Sequence, residues 1–236
     1  MTPDFAHIKQ AIEENGLAAR GAFRLTEAER QPGLDGVSVI VIIGVVGAKG
    51  WSAFAESPEQ IDSRPHPLDR WSRRIIEGLA VTCGARALFP FEGPPYWPFQ
   101  RWAMRAEPLR ASPLGMLIHS DYGLWHSYRG ALGFAELLSL PKVEPRPSPC
   151  ETCRERPCLD ACPVGAFTSR GYDVAACARH LSRDEGRACM DGGCLARRAC
   201  PIGRDYAHGQ AQAQFHMQAF LRARSVPGGS PRDPDD

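Results

Sequence analysis

Eight cysteines between Cys150 and Cys200 constrain this chain more than any other feature. They form two runs and one singleton. The first run reads Cys150-Glu-Thr-Cys153-Arg-Glu-Arg-Pro-Cys158-Leu-Asp-Ala-Cys162-Pro163, a C-x2-C-x4-C-x3-C-P pattern. Cys177 stands alone. The second run, Cys189-Met-Asp-Gly-Gly-Cys194-Leu-Ala-Arg-Arg-Ala-Cys200-Pro201, again closes on Cys-Pro. The ninth, Cys83, ends an apolar helical pattern and reads as a buried thiol rather than a nucleophile. The N-terminus, Met1-Thr-Pro-Asp-Phe-Ala-His7, has no basic stretch leading into an apolar core, so no signal peptide is expected. A cytoplasmic location follows as the expectation. There, clustered thiols bind metal or do redox chemistry rather than pair as disulfides.

A bacterial ferredoxin run is C-x2-C-x2-C-x3-C-P, whose fourth Cys crosses to the other cluster. Close thiolates on an irregular loop wrap three corners of a cubane. The fourth opens a helical turn pointing away, and the proline after it fixes the backbone where an N–H would be wasted. Eight thiols then supply four ligands to each of two [4Fe–4S] clusters. The crossing rule assigns Cys150, Cys153, Cys158 and Cys200 to one cluster and Cys162, Cys177, Cys189 and Cys194 to the other. The departures are inserted residues before Cys158, Cys194 and Cys200. Two four-thiolate zinc sites are the alternative, although zinc does not ask for a Cys-Pro step at the end of both runs.

All five Trp precede residue 126, so the chain divides in composition. Asp4–Asn15 reads as a helix closed by Gly16, and Ala22–Leu25 as a short strand. Val37–Val46 is continuous and β-branched, a strand buried on both faces. Gly44, Gly47, Lys49 and Gly50 lack phosphate-loop spacing and read as a strand exit. Helices are expected over His66–Cys83, Phe99–Ala106 and Tyr206–Arg224, and strands over Ala85–Phe89, Gly115–His119 and Arg129–Phe134. The expected organisation is a first domain over 1–140, a stiff proline-rich connector over 141–149, a cysteine-rich domain over 150–224 and a disordered tail over 225–236. The longest apolar run, Val37–Val46, falls far short of the roughly 20 residues of a spanning helix, so no membrane segment is expected. A formal net charge of +1 argues against nonspecific nucleic-acid binding.

From Pro149 onward the arrangement resembles the C-terminal ferredoxin-like module of epoxyqueuosine reductases and reductive dehalogenases. The lone Cys177, in Ala-Ala-Cys177-Ala-Arg-His-Leu, separates it from a plain two-cluster ferredoxin. Ile118-His-x-x-Tyr122-Gly-x-Trp125-x-x-x-Arg129-Gly is also similar to the cblC-type cobalamin-processing proteins. The fold this implies is α+β: a nitroreductase-like α/β sandwich adapted to bind cobalamin, followed by a small ferredoxin-like iron–sulfur domain. The implied corrinoid site comprises Leu114, Gly115, Met116, His119, Gly123, Trp125, His126, Tyr128 and Arg129. Gly115 and Gly123 would let backbone approach the macrocycle, Leu114, Met116 and Trp125 would cover it, and His119, His126, Tyr128 and Arg129 would bond its amides. Epoxyqueuosine reductases carry an acidic proton donor where this chain has Gly93-Pro-Pro-Tyr96-Trp-Pro, without Asp. Dehalogenases use a Tyr acid, a part Tyr96 would take. The tRNA-holding tail of epoxyqueuosine reductases has no counterpart here, so nucleic acid is not an expected partner.

The function implied is an oxidoreductase passing electrons through two [4Fe–4S] clusters to cobalamin. It would act as a corrinoid-dependent reductase or in reductive decyanation or dealkylation of cobalamin. A flavodoxin, ferredoxin or reductase would supply the electrons, entering at the cluster of the first run. A ferredoxin-like electron-transfer protein without organic cofactor remains the alternative, with flavin in the first domain a third reading.

Overall fold

The computed structural model describes residues 4–225. Eleven of the twelve tail positions expected to be disordered lie outside the described residues, and Ser225 closes the last helix.

Along the chain the helices are α1 (Phe5–Glu14), α2 (Trp51–Ala55), α3 (Pro58–Ile61), α4 (Pro67–Cys83), α5 (Phe99–Ala106), α6 (Pro149–Thr152), α7 (Pro157–Asp160), α8 (Val174–Leu181), α9 (Arg187–Gly192), α10 (Leu195–Ala199) and α11 (Gln210–Ser225). The strands are β1 (Ala18–Arg24), β2 (Val39–Val46), β3 (Arg86–Leu88), β4 (Arg110–Ala111), β5 (Leu117–Ile118), β6 (His126–Phe134), β7 (Phe167–Thr168) and β8 (Gly171–Tyr172). Four strands form one antiparallel sheet in the order β1-β2-β6-β3.

The sheet is buried on both faces because β2 is apolar at every position but Gly44. Side chains alternate across a strand. Val39, Val41 and Ile43 therefore join Ile8, Ile12, Trp71 and Ile76 of α1 and α4 on one side. Ile40 and Ile42 join Phe23, Phe99 and Trp102 on the other, where α5 lies. A mixed α+β architecture results, with helices on both faces of the sheet.

Local signals set the helix ends. The Asp4 side chain accepts from the His7 N–H at 2.9 Å at the start of α1, and Gly84 ends α4 with φ +65. Cys83 is buried in the α1/α4 core, as its apolar surroundings suggested. The expected strand over Gly115–His119 shrinks to two residues, because Gly115 turns the chain with φ +71. The expected strand from Arg129 instead starts at His126, because β2 pairs with it that far. Expected from Tyr206, α11 starts at Gln210, since a 3-10 turn over Arg204–Tyr206 comes first.

A buried ion pair fastens β1 to the end of α5. Gly21, at φ +91, lets the strand approach so closely that a Cβ there would stand 2.2 Å from the Ala106 carbonyl oxygen. Its neighbour Arg20 thereby meets Glu107 in a bidentate pair, with Nη2 donating to Oε2 at 2.6 Å and Nε to Oε1. Both side chains are almost fully buried, and Arg20 also faces the rings of Tyr122 and Tyr128 at 5.1 and 5.5 Å. Removing one partner of such a pair strands a buried charge, whereas replacing both with apolar groups can be near neutral. Glu107→Leu alone should lower the unfolding free energy by about 3–5 kcal/mol. Arg20→Met with Glu107→Leu should recover most of it in urea titrations, and additive losses would show that the two residues do not act as a pair.

Candidate functional site

The connector runs exposed from residue 141 to 147 until Ser148 caps α6, its Oγ accepting from the Cys150 N–H at 3.3 Å. Arg146 ties it to the first part of the chain, donating to Asp121 at 2.8 Å and to Ser120 Oγ at 3.0 Å. Beyond it, short helices started by Pro149 and Pro157 present the first-run cysteines.

The eight thiols gather in two groups. Burial pushes the Cys150 and Cys158 thiols up, and proximity to Cys200 and Cys153 pushes both further. Burial likewise raises Cys177, with Cys162 and Cys189 adding to it, and raises Cys194, with Cys189 and Cys177 adding. Each Cys-Pro cysteine thus leaves its own run: Cys200 stands with Cys150, Cys153 and Cys158, and Cys162 stands with Cys177, Cys189 and Cys194. Among the described residues no group of three or more His, Cys, Asp or Glu side chains is arranged to hold a metal ion.

The surroundings suit an iron–sulfur cluster. The first group lines a small cavity of about 20 Å3, walled by Pro113, Ile118, Pro149, Pro157 and Ile202. Leu114, Ile118 and Leu124 pack against Cys158 and Cys200 and exclude water. In the second group the Ala166 N–H donates to Cys162 Sγ at 3.3 Å, and neighbouring donors pull against the rise at two thiols, Tyr172 at Cys177 and the Ala196 and Arg197 backbone at Cys194. Hydrogen bonds and low solvent exposure are the levers that tune cluster potentials.

The nine residues nominated for a macrocycle do not form one open platform. The Tyr122–Gly123 turn lies directly on the Ile202–Gly203 turn that follows the last Cys-Pro. A Cβ on Gly123 would stand 2.0 Å from the Ile202 carbonyl oxygen, and one on Gly203 would stand 2.3 Å from the Tyr122 carbonyl oxygen. Gly123 therefore serves contact with the cysteine-rich part. Gly115 is exposed, with open space where a Cβ would go. Leu114 and Met116 pack around the first thiol group. Trp125 is buried beneath the Arg197 guanidinium at 4.4 Å and meets His208 edge-on at 5.2 Å.

His119 is stacked on Tyr122 at 4.3 Å, its Nδ1 accepting from the Asp121 N–H at 3.0 Å. His126 Nε2 lies 3.1 Å from the Leu117 carbonyl, an acceptor only, so Nε2 carries the proton. Its Nδ1 is buried without a partner. Tyr128 turns its hydroxyl toward Glu107. Of the nine, Arg129 borders a small cavity of about 20 Å3, room for little more than a water molecule, also lined by Trp51, Trp71, Ser127, Gln212 and His216. Clefts that hold drug-sized ligands are far larger, and a corrinoid is larger than such ligands. A whole corrinoid does not fit this arrangement. Tyr96 sits on the loop between β3 and α5, 45% exposed, its ring against Gly93.

Sequence reasoning missed Arg197, His208, Gln212 and His216. Gln212 donates to the Gly47 carbonyl at 3.1 Å, and Phe215 meets Trp51 and Phe54 at 5.6 and 5.2 Å, so α11 packs on the first part of the chain as well as on α9. The four-residue spacing of Gln212 and His216 was the available signal, a single helical face.

Burial lowers four histidines here, with arginine charges adding to it. His119 and His216 fall to about 4, and His126 and His208 to about 3. Each is neutral when folded and takes its proton first when unfolded, near pH 6.5. The unfolded state then binds more protons, and stability falls as pH drops from about 6.5 toward 4. Urea midpoints should decline over that window with uptake of several protons, and His208→Phe should flatten the slope. A flat profile between pH 7 and 5 would contradict this.

No family profile matches the chain, and no curated protein does either. Solved structures do share its fold. Epoxyqueuosine reductase from Bacillus subtilis aligns with a TM-score of 0.52 at 14% identity, covering 87% of this chain and 67% of that one. An epoxyqueuosine reductase with an epoxyqueuosine-modified tRNA-Tyr stem loop aligns at 0.50 and 14%, covering 87% and 66%. The C. elegans B12-trafficking protein CblC, a human MMACHC homologue, aligns at 0.54 and 13%, covering 96% of this chain and 98% of that one. The chain thus spans about two thirds of these reductases and nearly all of CblC. At such identities the likeness establishes the fold alone. The stem loop on one neighbour runs partly against the expectation that nucleic acid is no partner. No helix among the described residues is long and apolar enough to cross a membrane.

Proposed function

We propose that this chain is an iron–sulfur redox protein in which two [4Fe–4S] clusters, in a ferredoxin-like C-terminal part, pass electrons toward the first domain. Cys150, Cys153, Cys158 and Cys200 would hold one cluster, and Cys162, Cys177, Cys189 and Cys194 the other. The carrying observation is that Cys200, from the second run, lines one cavity with Cys150, Cys153 and Cys158 of the first. The clusters supply one-electron transfer. The chain's own residues space them, donate hydrogen bonds to their thiolates and place the first group against Ile118 and Leu124.

Cobalamin is the acceptor class supported by the fold, which is shared with a B12-trafficking protein. A corrinoid-dependent reductase or a cobalamin-processing protein is therefore the proposed role. The small cavity beside Arg129 does not seat a whole corrinoid. The same observation favours a second reading, an electron carrier without organic cofactor.

Anaerobic reconstitution should load about eight irons per chain. Cys177→Ser should alter the electron paramagnetic resonance of one cluster and Cys200→Ser that of the other. Zinc without iron, or both variants disturbing the same cluster, would overturn the assignment. Hydroxocobalamin then separates the two readings: tight uptake with a base-off spectrum supports the corrinoid role, and no uptake leaves the carrier.

A further inference from the structure

The residues inserted into the second cysteine run have a structural consequence. Four residues separate Cys189 from Cys194 and five separate Cys194 from Cys200, where a ferredoxin run has two and three. The five form α10, a single turn with Arg197 and Arg198 on opposite sides. Arg198 is exposed and donates to the Gly192 carbonyl at 2.8 Å. Arg197 turns inward.

The Arg197 guanidinium is largely enclosed. Nη2 donates to the Leu124 carbonyl at 2.5 Å, the group lies 4.4 Å over the Trp125 ring, and Nε is buried with no acceptor. No carboxylate pairs with it among the described residues. Burial pulls its pKa down to about 10, and the opposing influence comes from Cys194. A buried guanidinium cannot shed its charge at neutral pH, so it needs a counter-charge. An aromatic face and one carbonyl compensate it only in part. A [4Fe–4S] cluster on four thiolates is anionic and becomes more so when reduced. The first group has no equivalent: the cation beside it, Arg156, is exposed and screened by solvent.

We propose that Arg197 is the buried counter-charge of the cluster held by Cys162, Cys177, Cys189 and Cys194, and that it raises the reduction potential of that cluster above that of its neighbour. The Leu124 carbonyl and the Trp125 ring hold it in place. A fixed cation in a poorly solvated site favours the state with the extra negative charge. The second cluster is then the better electron acceptor of the pair. This inference rests on the two-cluster reading, and a reconstituted chain without iron would defeat that reading first.

The test is a potentiometric titration of the reconstituted full chain, following each cluster by electron paramagnetic resonance. Arg197→Met should move the midpoint of one cluster to more negative potential. The expected shift lowers its reduced-to-oxidised ratio at least tenfold at fixed potential, about 59 mV for one electron. The other cluster should hold its midpoint, and Arg198→Met should move neither. Arg197→Lys keeps the charge without the planar fork, so its midpoint should stay closer to wild type than to that tenfold shift. An unchanged midpoint in Arg197→Met, or equal shifts of both clusters, would overturn the proposal. If Arg197→Met assembles only one cluster, Arg197→Lys decides: a full tenfold shift there would show that charge does not set the potential.

Discussion

Two glycine turns in backbone contact hold the two halves of this protein in register. Tyr122–Gly123 belongs to the segment leading into the central sheet, and Ile202–Gly203 follows the last cysteine. Neither turn accepts a Cβ without a clash with the other. Their contact brings Leu124 and Trp125 under α10 and places the first thiol group against Ile118. It also sets α11 across the sheet part, where Phe215 reaches Trp51 and Phe54. Because the contact is between backbones, it leaves little freedom to slide, and the side chains around it have defined partners.

That junction is unusually rich in buried cations and neutral histidines. Arg129 and Arg197 lie within reach of His208 and His216, and Arg20 acts on His119 and His126. Arg20 has Glu107. Arg197 has no carboxylate, and neither has Arg129 a close one, Asp69 being the favourable charge that acts on it. A buried cation without a carboxylate partner needs compensation from another source.

Much of the fold was legible beforehand. The β-branched run of β2 announced a strand buried on both faces. The apolar spacing of α5 announced a helix over Phe99–Ala106, and the structure has the same bounds. Asp4 and Gly16 bracketed α1. Less legible were the segments where glycine replaces periodicity. Gly115 and Gly123 were read as clearance for a flat ligand. Gly123 instead gives clearance to another turn of the same chain, and nothing within residues 112–130 distinguishes the two uses.

The sequence by itself determined the local elements and the count and spacing of the thiols. These follow from spacing and from the restricted geometry of proline and glycine, which act over a few residues. Only the tertiary structure decided what stands beside the thiols. The pairing of Arg20 with Glu107, the seat of Arg197 on Trp125 and the reach of α11 onto the sheet join residues 72 to 164 positions apart. Such contacts have no local signature, because burial and charge compensation depend on which surfaces meet after the chain has folded.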